Sequence, residues 1–226
     1  MTRCMAHRGP DAEAFFSDSH VGFGHKRLSI IDLSSAANQP MTSSNGRWVI
    51  MFNGEVYNYQ HLSRKINGPL RTNSDTEVML ELFAERGADA VQEFNGMFAI
   101  AVYDKIEKSL FLFRDRLGVK PLFYFNEGNE WFFASELKAL LNIEHLKKRL
   151  TLNHEAISCF LQLGYIPEPL TIWNEIKKFP AGCYLKITET KHDWKYYWRA
   201  EDKISSLTIT NLDEAKKQLY ELLESS

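Results

Sequence analysis

Four short stretches hold more polar chemistry than a packed core calls for: His7-Arg8-Gly9-Pro10-Asp11, Arg27-Leu28-Ser29-Ile30-Ile31-Asp32, Asn53-Gly54-Glu55-Val56-Tyr57-Asn58 and Ser74-Asp75-Thr76-Glu77. In each, polar residues interrupt an apolar run at its end. A guanidinium can lay two parallel N–H groups on a carboxylate. Carboxylates complement an ammonium, and an amide side chain next to a glycine N–H can donate to an oxygen on which negative charge develops. Taken singly, each residue also has a plainer reading. Arginine beside a strand is commonly a surface or salt-bridge residue, Asn-Gly after a strand is commonly a turn, and Asp75 could be a first-turn acid favoured by the helix dipole. His7 and Arg8 read as structural residues that hold their loop over a site. As an ordered set the plainer readings lose, because no packing rule requires all of them together.

The elements that would position these residues are partly visible. Met1 to Ala6 lacks strand alternation and runs into the Gly9-Pro10 turn signal. Val21–Phe23 and Leu28–Ile31 flank Gly24 to Arg27 as two strands or a strand and its turn. Trp48–Phe52 reads as a strand buried on both faces that ends in a turn at Asn53-Gly54. Ser74 to Glu77 has the form of a capping box, with Glu77 reaching back to the serine and Gly87 as the stop of the helix. Met97–Tyr103, Leu110–Phe113, Leu122–Phe125 and Trp131–Ala134 have the lengths and spacing of an antiparallel meander. Ser135 to Leu141 reads as a capped helix. Further on come a helix from Asn153 to Leu163, a strand at Cys183–Ile187 and an amphipathic helix over 211–226.

Composition narrows the class. Of the 226 residues 44% are hydrophobic and 25% charged, and the formal net charge is -2, so there is no basic footprint for nucleic acid. No apolar run is long enough to span a bilayer, and no secretory segment opens the chain. Three scattered cysteines, Cys4, Cys159 and Cys183, speak for a reducing compartment, hence the cytoplasm. Neither they nor the seven histidines form a metal-binding spacing, so no metal site is expected.

The ordered set resembles the class II (N-terminal-nucleophile) glutamine amidotransferases. Arg114-Asp115-Arg116-Leu117-Gly118-Val119-Lys120-Pro121-Leu122 and Phe133-Ala134-Ser135-Glu136-Leu137-Lys138-Ala139-Leu140 narrow the resemblance to the glutamine-dependent asparagine synthetases. Tyr165-Ile166-Pro167-Glu168-Pro169, Thr171-Ile172-Trp173, Pro180-Ala181-Gly182 and Tyr197-Trp198 resemble that family's linker. The resemblance implies an α+β fold, a four-layer αββα sandwich lacking the N-terminal strand and so one edge of an inner sheet. It implies a glutaminase domain over 1–146, then a linker and the beginning of a synthetase domain over 147–226. L-glutamine is the implied ligand. Arg27 would take its α-carboxylate, Glu55 and Asp75 its α-ammonium, and Asn53 and Gly54 the oxyanion, with backbone around Ile31 completing the pocket.

Against the family pattern, the Cys-Gly-Ile strand that carries the nucleophile is missing before His7. Cys4 is not N-terminal, is not followed by glycine and a strand, and lies too near His7; Thr2 suffers from the same lack of a strand. The Ser-Gly-Gly-x-Asp-Ser loop that grips ATP pyrophosphate is also absent. The chain therefore reads as truncated at both ends, with no cofactor of its own and Mg-ATP belonging to the missing synthetase domain, and it is expected to be inactive alone. The competing readings are a catalytically dead glutamine-binding or structural domain of an ammonia-dependent amidotransferase, and another class II amidotransferase. A homodimer is left open.

Overall fold

The structure is a computed structural model that describes residues 1–204 and 209–225. Its strands are β1 (Ala12–Ser17), β2 (Gly22–Arg27), β3 (Met41–Thr42), β4 (Trp48–Val56), β5 (Gly96–Asp104), β6 (Ser109–Arg114), β7 (Phe123–Glu127), β8 (Glu130–Ala134), β9 (Lys177–Lys178), β10 (Cys183–Ile187) and β11 (His192–Tyr196). The α-helices are α1 (Tyr59–Ser63), α2 (Asp75–Arg86), α3 (Leu137–Leu140), α4 (Glu144–Lys147), α5 (His154–Leu163) and α6 (Leu212–Ser225). A 3-10 segment, Thr2–Arg8, precedes β1.

Six strands form one sheet in the order β11-β10-β6-β5-β4-β3, and its pairings are antiparallel. The second layer is divided: among the described residues β1 pairs only with β2, while β8-β7-β9 form a separate three-stranded piece. Three apolar clusters fill the spaces between layers. α2 packs Val78, Met79, Leu82 and Phe83 with Phe98, Ile100 and Phe113 on one face of the large sheet. Val49, Ala101, Tyr103, Leu112 and Leu185 on its other face meet Phe23, Leu122 and Phe179. A third cluster joins Phe125 and Ala134 to Ala139, Leu140 and Leu146 of α3 and α4, with Cys4 and Met5 packed against it. Helix, sheet, sheet, helix is the expected four-layer αββα arrangement. The opening lies inside the second layer, between β2 and β8, rather than at an edge of an inner sheet.

Several local expectations change. The hairpin is Ala12–Ser17 with Gly22–Arg27, in register from Ala12↔Arg27 to Ser17↔Gly22, and 28–31 is not a strand. The β4 strand does not turn at Asn53-Gly54 but continues to Val56, paired with β5 along its whole length. Gly54 sits opposite Phe98, and a Cβ there would lie 2.0 Å from Met97 O; Gly96 meets Glu55 O at 2.1 Å in the same way. Close strand approach, not turn formation, is what these glycines serve.

The expected meander splits between two layers. Asp115 accepts from the backbone N–H groups of Phe98, Leu117, Val119 and Lys120, and the turn it organises carries the chain from β6 in the large sheet to β7 in the second layer. The boundary expected at residue 146 does not divide the sheet either, since β10 and β11 extend it beside β6. Ser74 caps α2 as expected, accepting from Glu77 N at 3.3 Å. Glu77, however, reaches Arg71 and Thr72 instead of the serine N–H, and α3 has no side-chain cap. No described helix is long and apolar enough to cross a membrane.

Candidate functional site

The predicted residues share one cavity. A space of about 820 Å³ between the large sheet and the second layer is lined by Arg27, Ile31, Asn53, Gly54, Glu55 and Asp75 together. Arg27 ends β2, Asn53 to Glu55 lie near the end of β4, and Asp75 is the first residue of α2, so three elements deliver the set.

Arg27 is 8% exposed, and its side chain has two jobs. Nη1 donates to Ser34 O and Asn38 Oδ1, both at 2.8 Å, and Nη2 donates to Asp32 O. These bonds hold the 32–38 loop. Of five guanidinium protons, Nε–H and one on Nη2 have no acceptor among the described residues, which leaves two donors for a carboxylate. Asp32 secures the loop from the other side, accepting from Ser34 N at 2.8 Å and Asn73 N at 2.9 Å. Its carboxyl is held below the ordinary value by the Ser34 and Asn73 groups.

Asp75 accepts from Val56 N at 3.1 Å, tying the head of α2 to the end of β4. Burial pushes its carboxyl up, and the nearby charge of Glu55 pushes in the same direction. Among the described residues neither carboxylate has an ion-pair partner. A buried carboxyl raised by burial and by the neighbouring Glu55 charge, with no ion-pair partner among the described residues, makes a place that an ammonium would stabilise.

Asn53 Nδ2 donates to Ser135 Oγ at 3.3 Å, across the space between the large sheet and the β8–α3 junction. Gln39 accepts from Phe52 N at 2.6 Å and donates to Thr76 Oγ1 at 3.1 Å, so it braces β4 against α2. His25 Nε2 lies 3.1 Å from Phe52 O, while its Nδ1 is buried without a partner. Burial lowers this imidazole to about 4, so it is neutral at pH 7 and the contact assigns the proton to Nε2. Sequence reasoning did not single out Gln39 or His25. Ser135 appeared within the Phe133–Leu140 motif and as the start of an expected capped helix, neither of which pointed to its contact with Asn53.

The 3-10 segment lies alongside. His7 and Arg8 contact Glu136, as does Lys138, and hydrogen bonds from all three with the charge of Arg8 bring the Glu136 carboxyl to about 2 against the upward push of burial. His7 and Arg8 thus hold their loop, as expected. Cys4 does not line the cavity; its thiol donates to Met1 O and its side chain joins the third apolar cluster. Thr2 does line the cavity.

The sequence profile of the family described as "glutamine amidotransferase domain" matches residues 1–198. This chain is a glutamine amidotransferase domain. Asparagine synthetase (glutamine-hydrolyzing) 2 of Bacillus subtilis is 39% identical over 89% of the chain and 28% of its own length. Asparagine synthetase B (glutamine-hydrolyzing) of Escherichia coli is 31% identical over 100% and 35%. A Methanocaldococcus jannaschii relative is 37% identical over 99% and 48%, so the amidotransferase domain described here spans less than half the length of these relatives. The glutamine phosphoribosylpyrophosphate amidotransferase of B. subtilis superposes with a TM-score of 0.55 at 18% identity, covering 78% of this chain and 35% of its own, which supports the fold alone.

Proposed function

We propose that this domain binds L-glutamine in the cavity and, within a longer cytoplasmic asparagine synthetase, supplies glutamine-derived ammonia for ATP-dependent amidation of aspartate. The observation that carries the reading is the pairing of two free guanidinium donors with two carboxylates that lack a cation, in one cavity beside Asn53 and Gly54. Arg27 would hold the α-carboxylate, Glu55 and Asp75 the α-ammonium. Asn53 Nδ2 and the Gly54 N–H would face the carboxamide oxygen as it gains charge, a contribution of about 3 kcal/mol per donor. Ile31, which immediately precedes the loop that Arg27 holds, would close one side.

No cavity-lining residue offers a thiol, and β2 and β8, which both line the cavity, belong to separate pieces of the second layer. A strand seated there with a cysteine at its head would bring the nucleophile. Its sulfur would bond to the carboxamide carbon, the C–N bond would break, and the nitrogen would leave with a proton as ammonia; water would then release glutamate. On this reading the described residues bind and orient glutamine without cleaving it. Mg-ATP would belong to the remainder of the longer protein.

Calorimetry decides the binding claim. The 226-residue chain, shown folded by circular dichroism, should take up L-glutamine, and Arg27→Ala or Asp75→Ala should weaken uptake at least tenfold. A folded chain that gives no heat with millimolar glutamine would refute it. A catalytically dead binding domain is the second reading, favoured by the missing thiol. Glutamine-dependent ammonia release by the protein at its native length would exclude that alternative.

A further inference from the structure

We infer that the apolar face of α5 is a docking surface for polypeptide that the relatives possess in addition to the stretch matched here, so that in the longer protein α5 forms an inter-domain contact. The inference rests on the asparagine synthetase reading only for the existence of that polypeptide, and not on glutamine binding.

At about 100° per residue, Ile157, Phe160, Leu161 and Leu163 fall with Ala156 on one continuous arc of roughly 160°. Glu155, Ser158, Cys159 and Gln162 occupy the other side. Only Ala156 of this helix is buried. Phe160 is 55% exposed, Leu161 78% and Leu163 55%, and Leu152 and Tyr165 at the two ends of the helix are half exposed as well. An amphipathic helix ordinarily turns its apolar stripe to a core and its charges to water. Here the stripe faces outward, and Glu155 is the sole carboxylate in ten residues that contain no lysine or arginine.

The helix does not need the partner in order to form. Asn153 caps it by accepting from Ala156 N at 3.0 Å, and Gly164 closes it at φ +78°, so the surface is rigid before anything covers it. The length comparison identifies the occupant. The relatives align with nearly all of this chain yet have more than half of their own length elsewhere. An apolar, charge-poor face at 154–163, within the stretch that joins the domain to what accompanies it, fits a surface on that accompanying polypeptide.

Carbene footprinting tests this without any substitution. The protein at its native length and the 226-residue chain are labelled with a photoactivated diazirine in the absence of glutamine, and modification is read by mass spectrometry. Labelling of Phe160, Leu161 and Leu163 should be at least fivefold lower in the native-length protein, while Ile106, 67% exposed on the β5–β6 turn, should label equally in both. Equal labelling of α5 would overturn the inference, as would a native protein of only 226 residues. Protection of α5 in the 226-residue chain together with sedimentation as a dimer would also overturn it, because the occupant would then be a second copy. Failure of glutamine binding would leave this result unchanged.

Discussion

Asp75 shows how a single side chain can be selected against its own fold. With its carboxyl raised, the group favours the folded state when protonated. That contribution is complete below the ordinary carboxylate value and fades as pH climbs through the raised one, leaving a buried charge at neutrality. Asp75→Asn keeps an oxygen for Val56 N and removes the charge. It should raise the thermal midpoint by roughly 2–4 °C, the response of a chain of this size to about 1 kcal/mol, while weakening glutamine uptake at least tenfold; scanning calorimetry and titration on the same sample check both. Arg27 and Asp75 were legible because their types and order match a chemical task. His25 and Gln39 were not, because histidine or glutamine announces nothing until the distant backbone it touches is known: Phe52 lies 27 and 13 residues away, respectively.

At the scale of elements, β4 and β5 set the precision of the site. Gly54→Ala would drive a methyl into the Met97 carbonyl, so either the strands part or the substitution strains both; a loss of about 3 kcal/mol or more is expected in urea melts. The β1–β2 hairpin is anchored differently. Tyr103 OH donates to Asp18 Oδ2 at 2.7 Å. Burial alone would raise the Asp18 carboxyl, but the His20 and Val21 amides, this hydroxyl and Lys108 bring it to about 2. The folded value is depressed, so the stabilisation is present above 3.8 and is lost as pH falls toward 2. Tyr103→Phe should cost about 1 kcal/mol at neutral pH and move the Asp18 titration upward, as followed by carboxyl NMR. The helix over Asp75–Arg86 was readable from its cap and its glycine stop. Strand β1 was not: its inward side chains are Ala12, Ala14 and Phe16, while Phe15 faces out at 65% exposure, which blurs the two-residue alternation.

The whole molecule is organised by a sandwich whose second layer is interrupted. Residues 115–122 have the length of a hairpin connection, and nothing in their hydropathy tells that β6 and β7 belong to different sheets; the ring of N–H groups around Asp115 decides it. If the interruption is a strand site, a synthetic peptide beginning Cys-Gly-Ile and followed by alternating apolar residues should seat between β2 and β8. It should raise the thermal midpoint and confer glutamine-dependent ammonia release, measured by a coupled assay. A peptide with serine in place of the cysteine should give the thermal shift without ammonia.

The interruption also leaves β2 paired on one side by β1 and β8 paired on one side by β7, each at the edge of its own piece. From outside, the 3-10 segment bridges them, with Thr2 against Gly24 on one side and Cys4 and Met5 against the third apolar cluster on the other. It is fastened by the solvent-exposed side chains of His7 and Arg8 on a single carboxylate, a weak latch. In acid, once Glu136 takes up a proton near pH 2, the latch opens and strand-hungry backbone meets the solvent. Acid treatment should therefore convert monomers into cross-β fibrils faster than it melts the large sheet, and Glu136→Gln should bring that behaviour to milder pH.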